Sequence, residues 1–255
     1  DDHSYLPTDI VARCKTLRHV VFLGTGPSSY MDVAALRGLG VTVHAIKGYG
    51  DTAVAEHTVA LMFACARDIA RMDREVRGGA WHPRAGVQLR GKRLGILGMG
   101  GIGAEVARIA TGIGMDVVHW NRTPRPESPG TPVAIEELLA SCDVVSLHLA
   151  LNDATSGFLD RTRLSLMKPG AMLVNTARGA LVDEAALVDA LNSGHIARAG
   201  LDVFALEPLD RDHPLARLEA VTLSAHAGFR TYEASATLLS RALDIVQRLI
   251  TEAAR

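Results

Sequence analysis

Three polar residues in the second half of the chain have the types needed for an acid–base pair and an anion binder. Arg178 follows the apolar run AMLVNTA and precedes Gly179; Glu207 follows a segment ending in LDVF and precedes Pro208; His226 follows Val221–Ser224 and precedes Ala227-Gly228. An imidazole can give a proton to a carbonyl oxygen, or take one from a hydroxyl. A neighbouring carboxylate orients that ring and favours its charged form. A guanidinium pairs with a carboxylate and polarises a carbonyl. The set suits hydride transfer to or from C2 of a 2-oxo or 2-hydroxy acid, with no metal required. No H-E-x-x-H and no clustered Cys/His set occurs, and Glu56-His57 and Asp143 lack the neighbours a metal would want.

Hydride chemistry needs a carrier, and Gly98-Met99-Gly100-Gly101-Ile102-Gly103 fits the G-x-G-x-x-G pattern between a predicted strand and a predicted helix. Gly98 permits the tight turn, Gly100 lets the backbone approach a pyrophosphate, and Gly103 lets helix and strand pack closely. At the end of the next predicted strand, a carboxylate would bond the ribose hydroxyls of NAD. The chain instead has Asn121-Arg122-Thr123, with no carboxylate before Glu127. Arg122 can clamp a 2′-phosphate and Thr123 can donate to it, which favours NADP. An arginine stacked on adenine and an asparagine bonded to a ribose would leave NAD as the alternative.

These residues need strands that end on one side of a sheet. From Arg93 onward short apolar runs alternate with helical stretches: LGILG, DVVHW, DVVSLHL, AMLVNTA, 198–203 and 221–224 read as strands. Runs without a polar face indicate a parallel sheet covered by helices on both sides. Ligands bind at the carboxyl ends of such strands. Residues 54–228 are therefore assigned to a doubly wound, Rossmann-type dinucleotide-binding domain. Residues 1–53 plus 229–255 form a second, smaller α/β lobe, with a strand at 18–24, a helix at 33–39, a strand at 41–43 and a last helix over 231–253. This lobe is thin by ordinary size, so it is expected either to lack an upstream strand–helix part or to be completed by a partner. The periodic stretch 52–77 reads as one long helix stopped at Gly78-Gly79.

Composition narrows the classes. The 255 residues carry 27 basic and 28 acidic side chains, a net charge of −1, which gives no global pull toward nucleic acid or an anionic membrane. No apolar run reaches membrane-spanning length; TVALMFACA at 58–66 is a buried helix segment. Three separated cysteines fit a reducing compartment, hence a cytoplasmic protein. The start, Asp1-Asp2-His3, is no basic leader. Among the other histidines, His19, His44, His119 and His148 read as half-buried or hydrogen-bonded structural residues. His3, His82, His195 and His213 read as surface residues, and His57 as a contact at the lobe junction.

The chain resembles the D-isomer-specific 2-hydroxyacid dehydrogenases, a family that includes glyoxylate/hydroxypyruvate reductases and phosphoglycerate dehydrogenases. The resemblance lies in VAEHTVALMFACAR (54–67), LRGKRLGILGMGGIGAEVARIA (89–110), LVNTARGALVDEAALVDAL (173–191), AGLDVFALEPL (199–209) and SAHAG (224–228). It implies a catalytic Arg178, Glu207 and His226. It implies cofactor contacts at the glycine loop, at Asn121, Arg122 and Thr123, and at Ala150, Thr155, Thr176, Ala177, Asp202 and Gly228, with Asp202 facing the nicotinamide amide. It implies that Leu23-Gly24-Thr25-Gly26 holds the substrate carboxylate through backbone N–H groups, and that the lobes close on the cofactor in a homodimer. The glycine loop departs from the family pattern, running on through Pro27 to Asp32, and Ala150 and Ala225 stand where the family has prolines. A small substrate of the glyoxylate or hydroxypyruvate type is expected, with Tyr30 and Phe229 as candidate walls. The rivals are a non-catalytic dinucleotide sensor, of corepressor type, and a reductase of amino or larger oxo acids.

Overall fold

Residues 5–125 and 127–253 are described by a computed structural model. Asp1, Asp2 and His3 lie outside the described residues, as do Ala254 and Arg255. The chain divides into two compact units, Asp1–Gly50 with Arg230–Arg255, and Asp51–Phe229.

The smaller unit begins with α1 (Thr8–Arg13), β1 (His19–Phe22), α2 (Val33–Gly38) and β2 (Thr42–Ala45). β1 and β2 form a two-stranded parallel sheet with Val20 opposite Val43. Asp32 starts α2 by accepting the Ala35 N–H at 2.8 Å, and Gly40, at φ +78°, follows its end. Val11, Met31, Leu36 and Val41 make the core between these elements.

The larger unit opens with α3 (Asp51–Ala66) and α4 (Ile69–Arg77), so residues 51–53, expected in the smaller lobe, are the first turn of a helix in the larger unit. The single long helix expected over 52–77 is also corrected here. Asp68 sits at φ +52°, in the left-handed region, and Val87 donates its N–H to the Ala66 carbonyl at 2.7 Å. The Asp68 carboxylate takes the Arg198 Nε at 3.1 Å and Nη2 at 2.5 Å. Partners 21 and 130 residues away thus pull the chain out of the helical path, which local periodicity cannot reveal.

Then follow β3 (Arg93–Leu97), α5 (Gly101–Gly112), β4 (Asp116–Trp120), β5 (Thr131–Pro132), α6 (Ile135–Ser141), β6 (Val144–Leu147), α7 (Arg161–Leu166), β7 (Ala171–Asn175), α8 (Glu184–Asn192), β8 (Ile196–Leu201), α9 (Pro214–Arg217) and β9 (Val221–Leu223). The seven strands are parallel in the order β5-β4-β3-β6-β7-β8-β9. Every residue of β6 and β7 is buried, because both faces are covered. Successive side chains feed opposite cores: Leu173 packs with Leu138, Leu147 and Leu164, while Met172 and Val174 pack with Leu61, Ile96 and Val106. Sequence order reverses direction at β3, between β4 and β6, and this is the crevice where an open α/β sheet takes its ligand.

The last described element, α10 (Tyr232–Ala253), belongs to the smaller unit and lays Leu238 and Ala242 on Ile46.

Candidate active site

The glycine loop lies between the end of β3 and the start of α5. Gly98 takes φ +103°, and a Cβ there would lie 2.6 Å from the His148 carbonyl oxygen. A Cβ on Gly103 would strike the Gly98 carbonyl and come 3.3 Å from Ile96 Cγ2. Both glycines are required by the protein itself. At Gly100 a Cβ would meet nothing within 4 Å, so glycine there is explained by a ligand brought against the backbone. With the free N–H groups of the α5 start beyond it, the loop fits a dinucleotide pyrophosphate. Ile102 follows it, half-buried against the α5 core.

The Asn121 side chain bonds to the backbone on both sides of the crevice. Its Oδ1 accepts the Met99 N–H at 3.0 Å and its Nδ2 donates to the Thr123 carbonyl at 2.5 Å, which ties the glycine loop to the end of β4. Arg122 and Thr123 are exposed, and among the described residues no carboxylate pairs with Arg122. In the loop after β6, Thr155 Oγ1 donates to the Ala150 carbonyl at 2.7 Å and accepts the Asn152 N–H at 2.8 Å, closing a tight loop. Thr176 Oγ1 lies 2.7 Å from Thr58 Oγ1, and the Ala177 N–H is held by Asn175 Oδ1 at 3.0 Å. Asn121, Thr155 and Thr176 therefore spend their polar groups on shaping the crevice walls.

Arg178, Glu207 and His226 stand in the loops after β7, β8 and β9. Arg178 donates from Nη1 to the Ala177 carbonyl at 2.6 Å, and its own carbonyl accepts Asn175 Nδ2 at 2.8 Å. Its half-buried guanidinium pairs with no carboxylate among the described residues. A Cβ on Gly179 would run into the Phe204 carbonyl, so glycine there lets the Arg178 loop lie directly against the loop that leads to Glu207. Glu207 accepts the Phe204 N–H on Oε1 at 2.9 Å and holds His226 Nδ1 on Oε2 at 2.7 Å, each side chain 19% exposed. His226 Nε2 is left without a partner among the described residues. Phe229 meets the imidazole edge-on, with ring centroids 6.0 Å apart.

His226 is itself at φ +49°, unusual for a residue with a side chain. Asp202 holds it there. The Asp202 carbonyl accepts the His226 N–H at 2.8 Å. Its carboxylate, 1% exposed, accepts Ser224 Oγ at 2.6 Å and the Ala227 and Gly228 N–H groups at 2.9 Å each. His57 Nε2 lies 3.2 Å from Asp202 Oδ1 and 2.9 Å from Ser224 Oγ. Burial alone would raise the Asp202 pKa, but His57, Ser224 and the two N–H groups outweigh it and hold the carboxyl below its ordinary value. Gly228 serves this same contact, since a Cβ there would sit 3.1 Å from Asp202 Oδ2. One nitrogen of His57 faces both Ser224 and Asp202, so the three do not form a nucleophile relay, which needs both ring nitrogens.

His57 is corrected accordingly: its bonds are made inside the larger unit. It and Ser224 are the residues the sequence reading missed, and their one local signal was Ser224 two places before His226. His148 and His119 are structural. His148 bonds Ser146 Oγ at 2.8 Å, and burial pushes its pKa down to about 4. His119, at 1% exposure, has no partner for either ring nitrogen among the described residues and burial lowers its pKa, so it is neither half-buried nor hydrogen-bonded there. Among the described residues no cluster of three or more His, Cys, Asp or Glu side chains could hold a metal, and no helix is long and apolar enough to cross a membrane.

In the smaller unit, Leu23-Gly24-Thr25-Gly26 follows β1. Gly24 accepts the Ile46 N–H at 2.9 Å and has no room for a Cβ beside the Phe22 ring. Leu23 and Thr25 are exposed, and the Thr25 and Gly26 N–H groups have no acceptor among the described residues. The loop continues as a single 3-10 turn, Pro27–Ser29.

The D-isomer specific 2-hydroxyacid dehydrogenase NAD binding domain family matches residues 59–228. A glyoxylate reductase from Aeropyrum pernix is 40% identical over 255 residues, covering 95% of this chain and 75% of that protein. A D-3-phosphoglycerate dehydrogenase from Archaeoglobus fulgidus is 36% identical over 232 residues, covering 89% of this chain and 44% of that one. The chain thus spans three quarters of the first relative and less than half of the second. Among solved structures, an acyclic imino acid reductase in complex with NADPH and D-Arg is similar with a TM-score of 0.89 and 32% identity, covering 98% of this chain and 81% of that chain.

Proposed function

The chain belongs to the D-isomer specific 2-hydroxyacid dehydrogenases, oxidoreductases acting on the CH–OH group of 2-hydroxy acids with NAD or NADP, and we propose that it reduces a small 2-oxo acid of the glyoxylate or hydroxypyruvate type with NADPH. The observation that carries this reading is the Glu207–His226 contact at 2.7 Å, with Nδ1 held and Nε2 left for a ligand. A bound nicotinamide dinucleotide supplies or accepts the hydride at C2. His226 Nε2 gives the proton to the carbonyl oxygen in reduction and recovers it in oxidation. Glu207, fixed by the Phe204 N–H, keeps the ring in one orientation and stabilises it when charged. Arg178 binds the carboxylate and stabilises negative charge developing on the carbonyl oxygen.

For the cofactor, the glycine loop with Gly100, Gly101, Ile102 and Gly103 takes the pyrophosphate, and the walls at Ala150, Thr155, Thr176, Ala177, Asp202 and Gly228 shape the remaining contacts. NADPH is favoured because Arg122 and Thr123 are exposed and no acidic residue ends β4. Binding of NADPH by the similar imino acid reductase supports the same choice. Arg122→Ala is expected to cost NADPH about 1.5–3 kcal/mol in kcat/KM, the range for a charge-assisted hydrogen bond, and NADH far less. Steady-state kinetics with each cofactor check this; equal losses would reduce Arg122 to an adenine-stacking residue.

The substrate class is tested by a panel of 2-oxo acids: glyoxylate, hydroxypyruvate, pyruvate, phosphohydroxypyruvate, and pyruvate with added amine. Turnover is expected to be fastest with the first two. Activity confined to the phosphorylated acid would move the chain to the phosphoglycerate dehydrogenases. Activity only with amine present would make it an imine reductase, and cofactor binding without any turnover would make it a sensor.

A further inference from the structure

The G-x-G-x-x-G pattern requires glycine at 98, 100 and 103, yet residue 101 is glycine as well. The structure gives that fourth glycine a cause inside the protein. A Cβ on Gly101 would overlap Asp51 Oδ2, so the Asp51 carboxylate points that oxygen at the first residue of α5. Asp51 is half-buried, and among the described residues it has neither an ion-pair partner nor a hydrogen bond. It is also the first residue of α3, so it sits at the start of two helices at once. The positive ends of both helix dipoles make the position tolerable for an unpaired negative charge. One of those two helix starts is the one the pyrophosphate needs.

We propose, resting on the cofactor reading above, that Asp51 is a negative affinity determinant: its carboxylate opposes the pyrophosphate at the start of α5 and sets how readily the dinucleotide leaves. Gly101 is the complementary half of the device, because any side chain there would displace the carboxylate. Two like charges sharing one partly buried helix start repel through a medium that salt screens only in part. Neutralising Asp51 should therefore tighten dinucleotide binding, whereas a residue that merely holds the loop would loosen it when changed.

The test is direct binding, read without turnover. NADPH and adenosine 2′-monophosphate, which lacks the pyrophosphate, are titrated into wild type and Asp51→Asn, with thermal melts to establish folding. The Kd for NADPH is expected to fall about tenfold in Asp51→Asn, with the gain shrinking at high salt. The Kd for adenosine 2′-monophosphate should stay unchanged. Should Asp51→Asn melt unlike wild type, Asp51→Ala replaces it with the same expectation. An NADPH Kd that is unchanged or raised in a variant melting like wild type overturns the inference alone. If neither protein binds NADPH, the inference falls together with the cofactor reading.

Discussion

His226→Ala is expected to lower turnover roughly 10²–10⁴-fold, the range for removal of a positioned general acid. Cofactor affinity should be retained, since the glycine loop and Arg122 lie on other strands. Single-turnover measurement is the appropriate check, because slow product release would mask the chemical step. The direction of the pH effect follows from the proton's path. Reduction needs the imidazolium and fades as pH rises through the group's titration, whereas oxidation needs the neutral ring and fades as pH falls. Glu207→Gln keeps the shape but removes the charge that stabilises the imidazolium during proton transfer, so the single-turnover rate of reduction should fall. Arg178→Ala should raise KM and lower kcat together, because its guanidinium serves both the bound carboxylate and the developing oxyanion. A His226→Ala protein with near-normal single-turnover rates would remove His226 from the chemistry and, with it, the reading of Glu207.

How much of this was legible in sequence depends on where each contact partner lies. The sheet was readable because β6 and β7, apart from Ser146 and Asn175, are apolar with no polar face, the pattern of a strand covered on both sides. The catalytic candidates were readable because each follows a strand and is followed at once by glycine, proline or Ala-Gly. The glycine loop was readable at 98, 100 and 103, but the fourth glycine was not, because its cause is Asp51, fifty positions earlier. Asn121 was read as a cofactor contact because a strand end in this fold lies beside the ligand. Its amide instead meets the Met99 N–H, a partner 22 residues upstream. The break at Asp68 needed Arg198, and the loop bearing His226 needed His57 and Asp202. In each case the missing information was a tertiary partner competing with a correct local preference.

Asp202→Ala should be the most damaging single change to stability in the larger unit. It strips the acceptor from Ser224 Oγ and from the Ala227 and Gly228 N–H groups, at a site 1% exposed, so no water replaces it. Breaking a buried, hydrogen-bonded charge in this way costs about 3–5 kcal/mol. In a unit of this size that corresponds to a fall in Tm of about 10 °C. Asp202→Asn keeps the volume but sets an amide NH₂ against at least one N–H donor, so it should lose less stability and still lose turnover, because the same loop holds His226 at positive φ. The pH dependence identifies the charge itself. The folded-state pKa of Asp202 is depressed below that of the unfolded chain, so its contribution is complete above the ordinary carboxylate range. That contribution is lost as pH falls through the depressed value. The stability gap between wild type and Asp202→Asn, measured by denaturant unfolding, should therefore be constant near neutrality and close progressively in acid. A gap that stays the same down to the acid limit would mean that shape, rather than the buried negative charge, keeps the His226 loop in place.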